Sequence, residues 1–247
     1  MSHIILIHGA WGSAWVYDSV AKNLRSRGHT VSTLDLPGHG NNPKPINEVT
    51  INAYVDHVVD YIRDLNEPVI LGGHSLGGAV ISLVAERIPS AIDRLLYICA
   101  MLPKDGDTPL GIMQNDPGGI LLPKIEFSED GTYATVSDEA VSDVFLHDVK
   151  DKEQLEEMLP HFRIKQATEP FASPITLTKE AFGSVSKFYF RAEFDRVLSI
   201  DVQDQMIKNW EVDAVSTLQT GHFPLLSTPT ELANHIHNAA ETKLTHA

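Results

Sequence analysis

The sequence is poor in cysteine, in basic residues and in long apolar runs. Its single cysteine, Cys99, cannot form an internal disulfide, which argues against a disulfide-stapled secreted protein and favours a reducing compartment. Nineteen lysine and arginine residues stand against 33 aspartate and glutamate residues, giving a net charge of −14 at pH 7. Because so acidic a chain is poorly matched to nucleic acid or to an anionic membrane surface, we expect neither as a partner.

Membrane spans and targeting signals are also lacking. No apolar run approaches the roughly 18 residues of a membrane-spanning helix. The first residues, MSHIILIHGAWG, have no basic segment and an apolar stretch of only about four residues, unlike a secretory signal. We therefore predict a cytoplasmic protein.

What the sequence does contain is an alternation of short apolar segments with segments of helical periodicity. Predicted strands cover residues 3–7, 31–36, 68–71, 94–100, 187–192 and 214–218. Predicted helices cover residues 14–27, 51–65, 77–87, 200–210 and 229–242. Such alternation is typical of the α/β class, with a mostly parallel central sheet flanked by helices on both faces.

The alternation is interrupted between residues 104 and 184. A stretch rich in proline and glycine comes first, then a hairpin pattern over residues 127–135 and helical patterns over residues 137–146, 152–159 and 161–168. A structureless loop of this length is implausible, so we predict a mainly helical cap inserted between strands, over the sheet edge where α/β proteins bind ligands. Residues 1–103 and 185–247 are then the core, and residues 104–184 the cap, of a single structural unit.

The clearest catalytic motif is Gly73-His74-Ser75-Leu76-Gly77, which matches the nucleophile elbow G-x-S-x-G. It lies between a predicted strand and a predicted helix, which is the context that this motif requires. At such a turn the serine hydroxyl projects from the sheet, and the glycines remove side chains that would clash. An ordinary glycine-rich turn is the alternative, but the context favours Ser75 as a nucleophile.

A serine nucleophile needs a general base that is oriented by an acid. Of twelve histidines, His222 alone lies in a loop between the last predicted strand and the last predicted helix, where this architecture places its base. A turn histidine capping that helix is the alternative. The acid should follow the strand at residues 187–192, and we predict Asp195, with Glu193 as the second candidate. Asp201 fits a helix cap or first turn instead.

Two backbone N–H groups are expected to form an oxyanion hole, which stabilises the negative charge of the transition state. One belongs to Leu76, directly after the nucleophile. The other belongs to the loop at residues 8–12 after the first strand, and Ala10 is the best candidate there. An ordinary glycine turn is the alternative for that loop.

This chemistry requires no metal and no organic cofactor, and we expect none. The histidines of the last helix and tail, His235, His237 and His246, have no cysteine or carboxylate cluster beside them in the pattern of a metal site. We expect these side chains to be solvated.

Six segments spread over nearly the whole chain are similar to one known family. They are HGAWGSAWVY, LDLPGHG, GHSLGG, YICAMLP, FGSVSKFYF and GHFPLLSTPTEL. With them the chain resembles the α/β-hydrolase superfamily and, within it, the plant methylesterase and hydroxynitrile lyase family with its bacterial esterase relatives. The resemblance implies the α/β-hydrolase fold, a triad of Ser75, Asp195 and His222, oxyanion donors at Ala10 and Leu76, and a small, mostly helical cap.

The resemblance also helps to separate two activities. Lyases that resemble this group have a threonine at or near the place of Gly9 and a lysine after the catalytic histidine, where a cation stabilises the leaving cyanide. Here those places hold Gly9 and Phe223. We therefore predict a carboxylesterase-type serine hydrolase, with a hydroxynitrile lyase as the alternative and a weakly catalytic ligand receptor as the third candidate.

Several aromatic residues are candidates either for a substrate pocket or for plain packing between cap and sheet. They are Trp11, Phe145, Phe162, Phe171 and Phe223. Trp11 and Phe223 flank the predicted catalytic residues, which favours the pocket for these two. We expect the substrate to be a small to medium, largely apolar carboxylic ester. A homodimer is the alternative to a monomer.

Overall fold

The computed structural model describes residues 2–243 and has a six-stranded parallel sheet at its centre. The strands are β1 His3–Ile7, β2 Thr30–Leu34, β3 Val69–His74, β4 Ile92–Ile98, β5 Ile125–Phe127, β6 Tyr133–Val136, β7 Gln166–Ala167, β8 Ser186–Ala192 and β9 Ala214–Leu218. The central sheet has the order β2-β1-β3-β4-β8-β9, and each neighbouring pair is parallel. The predicted α/β class with a parallel sheet is confirmed.

Helices flank this sheet, so its inner strands carry mostly apolar, buried residues. The α-helices are α1 Asp18–Ser26, α2 Ile51–Leu65, α3 Gly77–Arg87, α4 Pro109–Gln114, α5 Asp138–Ala140, α6 Lys152–Met158, α7 Glu169–Ala172, α8 Ile200–Ile207, α9 Pro224–Ser227 and α10 Pro229–Glu241. Every residue of β3 is buried. Among the described helices, none is both long and apolar enough to traverse a bilayer.

The predicted elements of the core are found with shifted ends. The helix expected from residue 14 begins as a 3-10 turn, Ala14–Tyr17, before α1. Strand β3 continues to His74, three residues beyond its predicted end. Its last part holds Gly72 and Gly73, which the sequence suggested as loop residues, but a side chain at Gly72 would lie 2.8 Å from Leu6 of β1. Gly72 therefore permits close packing of β3 against β1.

The insertion, residues 104–184, lies between β4 and β8, which are neighbours in the sheet. It holds the short helices α4 to α7 together with a second, antiparallel sheet of order β5-β6-β7. The predicted hairpin is found as β5 and β6, and α5 continues into a π-helical turn, Val141–Phe145. The division of the chain into core and cap at residues 103 and 185 stays a prediction.

The helix predicted over residues 161–168 is wrong. A 3-10 turn ends at Phe162, and Gln166–Ala167 forms β7, paired with β6. Along this segment Phe162 and Gln166 are buried and Ile164 half-buried, while the residues between them are exposed. This alternation has the period of a strand, and the sequence HFRIKQ already carries it.

Parallel strands bring the candidate residues to one edge of the sheet, because all their carboxyl ends point the same way. Ser75 follows β3, Ala10 follows β1, Asp195 follows β8 and His222 follows β9. The insertion leaves the sheet after β4 and returns before β8. The predicted catalytic groups and the insertion therefore share this edge.

A lysine side chain lies inside the core. Lys187 on β8 is only 1% exposed, and its ammonium group donates hydrogen bonds to the carbonyls of Val185 at 2.6 Å and Gly183 at 3.2 Å. Burial lowers the pKa of Lys187 to about 8, because the charged form loses its hydration.

We predict that the free energy of unfolding, measured relative to a Lys187→Met variant, rises with pH between about 8 and 10.5. In this range the unfolded lysine holds a proton that the folded lysine has released, so rising pH favours the folded state. Urea denaturation of both proteins at pH 7, 8, 9 and 10 measures the difference. A difference that is constant or falls across this range would contradict the assignment.

Candidate active site

Ser75 lies on a strained turn between β3 and α3. Its φ is +52°, in the left-handed region that non-glycine residues seldom adopt. Its carbonyl accepts hydrogen bonds from the N–H groups of Gly78 and Met101, each at 3.0 Å, which hold the turn in place. Observed backbone strain of this kind is a feature of functional sites, and a nucleophile elbow needs it to expose the serine.

The glycines around Ser75 allow three chain segments to meet. A Cβ atom at Gly73 would lie 2.5 Å from the carbonyl oxygen of Gly77, and one at Gly77 would lie 2.8 Å from that of His8. A Cβ atom at Gly9 would lie 2.7 Å from the Cβ atom of Ser75. The loop after β1 is thus packed directly against the elbow, which only glycine permits.

A buried hydrogen bond joins His222 to Asp195. The distance from His222 Nδ1 to Asp195 Oδ2 is 2.7 Å, and the two side chains are 2% and 0% exposed. The other carboxylate oxygen of Asp195 accepts from the N–H groups of Val197 at 2.7 Å and Leu198 at 3.0 Å. Because Nδ1 donates to the carboxylate, Nε2 of the neutral imidazole carries the lone pair.

The other two acidic candidates lie elsewhere. Glu193 is exposed and accepts a hydrogen bond from the side-chain amide of Gln219. Asp201 is exposed in the first turn of α8, whose N-cap is Ser199. Of the three carboxylates that the sequence suggested, Asp195 is the one in contact with His222.

The two expected oxyanion donors flank Ser75. Leu76 immediately precedes α3, and the N-terminal end of a helix favours negative charge. Ala10 lies in the loop after β1 and lines the same cavity as Ser75. Within residues 2–243, neither the Ala10 nor the Leu76 N–H donates to a protein acceptor. Both groups are free to bind an oxyanion.

A cavity of about 280 Å³, the catalytic chamber, contains Ser75 and His222 in its lining. The predicted pocket residues Trp11, Phe145 and Phe223 also line it. Phe162 does not, and its ring packs behind Phe223 with the centroids 5.1 Å apart. Apart from His222, the lining side chains carry no ionisable group, so the chamber favours an uncharged ligand.

A closed chain of hydrogen bonds fixes the loop that holds Ala10. His39 donates from Nδ1 to the carbonyl of Gly12 at 2.9 Å and accepts at Nε2 from the Tyr54 hydroxyl at 3.0 Å. Gln166 of the insertion donates to the Tyr54 oxygen at 3.2 Å and accepts from the N–H of Trp11 at 3.4 Å. Sequence reasoning missed Gln166 and Tyr54, and only His39 had a signal, in the motif LDLPGHG.

Two further residues that the sequence did not single out hold the loop of His222. His74 donates from Nε2 to the carbonyl of His222 at 2.7 Å, and burial lowers the pKa of His74 well below its usual value. Asp148 of the insertion accepts from the N–H of Gly221 at 2.8 Å. The sequence could have pointed to His74, because it lies within the elbow motif. No motif of the sequence points to Asp148.

His237 is less isolated than the sequence suggested. Donor atoms of His29, His237 and Glu241 lie within 4.8 Å of one another, so a carboxylate does accompany this histidine. The two imidazoles share a hydrogen bond of 2.9 Å, which accounts for their proximity without an ion. His246 lies outside the described residues, and the absence of a metal stays a prediction.

We predict that Tyr54→Phe lowers the free energy of unfolding by about 1–3 kcal/mol. It leaves the buried Nε2 of His39 without a partner and removes one of the two hydrogen bonds that the Gln166 amide nitrogen donates. The matched control is Tyr61→Phe, which removes a half-buried hydroxyl that donates to Ser32 at 2.8 Å. Its expected cost is about 1 kcal/mol or less. Urea denaturation measures both, and equal losses would contradict the role of the buried chain of hydrogen bonds.

Comparison with known proteins shows which family the chain resembles. A model described as the alpha/beta hydrolase family matches residues 4–235. Methylesterase 10 of Arabidopsis thaliana is 29% identical, over 97% of this chain and 92% of its own. Alpha-hydroxynitrile lyase of the same plant is 31% identical, over 93% of each chain. The crystal structure of a pyrethroid hydrolase has a TM-score of 0.84 and 32% identity, and the match covers 98% of both chains.

These matches span nearly the whole chain. The matched proteins have the predicted fold and belong to the predicted group of relatives. The resemblance drawn from the sequence is confirmed, and with it the prediction of an esterase-type hydrolase. The chain belongs to the alpha/beta hydrolase family.

Proposed function

We propose that the protein hydrolyses uncharged carboxylic esters through an acyl-enzyme formed on Ser75. The observation that carries the proposal is the buried hydrogen bond of 2.7 Å between His222 and Asp195 beside the strained turn of Ser75. A buried carboxylate that fixes one tautomer of a histidine is the arrangement that makes the other ring nitrogen a general base.

In the first half of the reaction, Nε2 of His222 takes the proton of the Ser75 hydroxyl while its oxygen attacks the ester carbonyl. The imidazolium that forms is stabilised by the Asp195 carboxylate. The N–H groups of Ala10 and Leu76 stabilise the oxyanion. His222 then gives its proton to the departing alcohol, which leaves an ester between Ser75 and the acyl group.

The second half uses the same groups in reverse. A water molecule gives a proton to Nε2 of His222 and attacks the acyl carbonyl, again with the oxyanion at Ala10 and Leu76. The serine oxygen leaves with the proton from His222, and the carboxylic acid is released. Besides the ester and water, these steps use side chains and backbone groups of this chain.

The substrate class follows from the catalytic chamber. Its lining is apolar except for the reacting groups, which supports a small to medium, largely apolar ester. The relatives named methylesterase and pyrethroid hydrolase support ester hydrolysis as the reaction. The cytoplasmic location of the protein and the homodimer stay predictions.

We predict that Ser75→Ala lowers kcat for p-nitrophenyl butyrate by at least about a thousandfold, because the nucleophile is removed. Asp195→Asn should lower kcat by about 10³–10⁴-fold, because it favours the wrong tautomer of His222. Glu193→Gln is the matched control, since Glu193 is exposed and bonded to Gln219. Its kcat should stay within about twofold of wild type. Wild-type turnover by Ser75→Ala, or equal losses for the two acid variants, would contradict the assignment.

A hydroxynitrile lyase is the second candidate, because one relative carries that name at 31% identity. The lining of the catalytic chamber offers no lysine or arginine to a leaving cyanide. Phe223, which follows His222, is 2% exposed and packs on His74, with ring centroids 4.6 Å apart. A cation that would stabilise the leaving cyanide is therefore absent from the described lining of the catalytic chamber.

We predict that the wild-type protein releases cyanide from mandelonitrile no faster than Ser75→Ala does, while the wild type alone hydrolyses esters. A colorimetric cyanide assay, run at pH 5.5 to limit spontaneous decay, measures this. Cyanide release that exceeds ester hydrolysis and depends on Ser75 would favour the lyase.

A further inference from the structure

A second cavity lies next to the catalytic chamber, against the small sheet of the insertion. This outer chamber has an empty volume of about 430 Å³, its opening to solvent included, compared with about 280 Å³ at Ser75. Trp11, Met113 and Phe171 line both cavities, so these three side chains form the partition between them.

The three side chains of the partition are held in different ways. The indole of Trp11 donates from Nε1 to the carbonyl of Ala134 at 3.1 Å, which fixes it to β6. The Phe171 ring is half-buried, 5.7 Å from the Trp11 ring, and Met113 is an unbranched side chain that adapts its shape readily. Phe171 and Met113 have no hydrogen-bonding group that ties them to a neighbour, so they are the parts of the partition least constrained against rotation.

The lining of the outer chamber determines what it can bind. It consists mainly of apolar side chains from α4, the small sheet and α7, including Leu110, Ile125 and Ala172. The one hydroxyl, that of Thr168, already donates to the carbonyl of Gly131 at 2.7 Å. No lining residue is charged, so a charged group would lose its hydration there without compensation. Phe127, 58% exposed, extends this apolar lining to the surface.

We propose that the outer chamber is a substrate subsite that receives the larger, uncharged apolar group of an ester whose carbonyl lies at Ser75. The inference rests on the proposed function and makes its substrate class narrower. The preferred esters have one small group, which fits the catalytic chamber, and one long aliphatic or aromatic group, which reaches past Trp11. A small ester would fill the catalytic chamber alone.

The first test fills the outer chamber. Ala134 is 3% exposed and lines this chamber but not the catalytic one, so Ala134→Leu reduces the space without touching Ser75. The acid released from three esters is titrated. Ethyl acetate has two small groups, ethyl octanoate has a large acyl group, and 2-naphthyl acetate has a large alcohol group. We expect kcat/KM to fall about tenfold or more for at least one bulky ester and to change less than about twofold for ethyl acetate.

The second test opens the partition. Phe171→Ala removes one of its three side chains, so the ratio of kcat/KM for the bulky ester to that for ethyl acetate should rise several-fold. Ala214→Leu is the control, because Ala214 is exposed at the start of β9 and outside both linings. It should leave both ratios, those of ethyl octanoate and of 2-naphthyl acetate to ethyl acetate, unchanged.

The outcomes separate the subsite from the reaction. If neither Ala134→Leu nor Phe171→Ala changes the ratio for either bulky ester, the outer chamber is not a substrate subsite. If the wild type hydrolyses none of the three esters, the proposed function fails. The subsite is then tested by fluorescence titration with the apolar dye Nile red. Binding that Ala134→Leu weakens about tenfold would support the outer chamber, and unchanged binding would overturn it.

Discussion

The site depends on the close contact between the backbone turn at Ser75 and the loop after β1. Ser75 has a φ of +52°, and the neighbouring loop approaches so closely that a side chain at Gly9 would lie 2.7 Å from its Cβ atom. This contact packs the loop of Ala10 against the elbow, and Ala10 and Ser75 line one cavity. If the Ala10 and Leu76 N–H groups bind the oxyanion, as we propose, this contact preorganises them, and preorganisation is the main electrostatic contribution in such sites.

The histidine loop is held from two sides by groups that take no part in proton transfer. His74 binds the carbonyl of His222 from the elbow, and Asp148 binds the N–H of Gly221 from the insertion. Gln166, also in the insertion, bonds to Trp11 in the loop after β1. The insertion therefore stabilises both loops of the site as well as covering them. Any motion of the insertion that admits substrate would act on the geometry of the catalytic groups.

Much of this arrangement is predictable from the sequence because it follows from local patterns. The periodicity of apolar residues gives the strands, and the elbow motif gives Ser75 with its glycines. Position alone separates Asp195 from Glu193 only weakly, however, since both follow β8 by a few residues. The fold separates them clearly, because it buries the side chain of Asp195 and leaves Glu193 paired with Gln219 at the surface. Gln166 and Asp148 act over long sequence separations, for which a single sequence offers no signal.

The proposed reaction depends on Ser75 being a nucleophile that the buried pair of His222 and Asp195 activates. Covalent reaction with a fluorophosphonate, followed by mass spectrometry of the intact protein and of its peptides, tests this activation. We expect a single adduct on the peptide that contains Ser75, formed in the wild type and at least about a thousandfold more slowly in His222→Ala. No adduct would favour a ligand receptor without turnover. An adduct on another residue, or one that forms equally fast without His222, would show that Ser75 is not activated in this way.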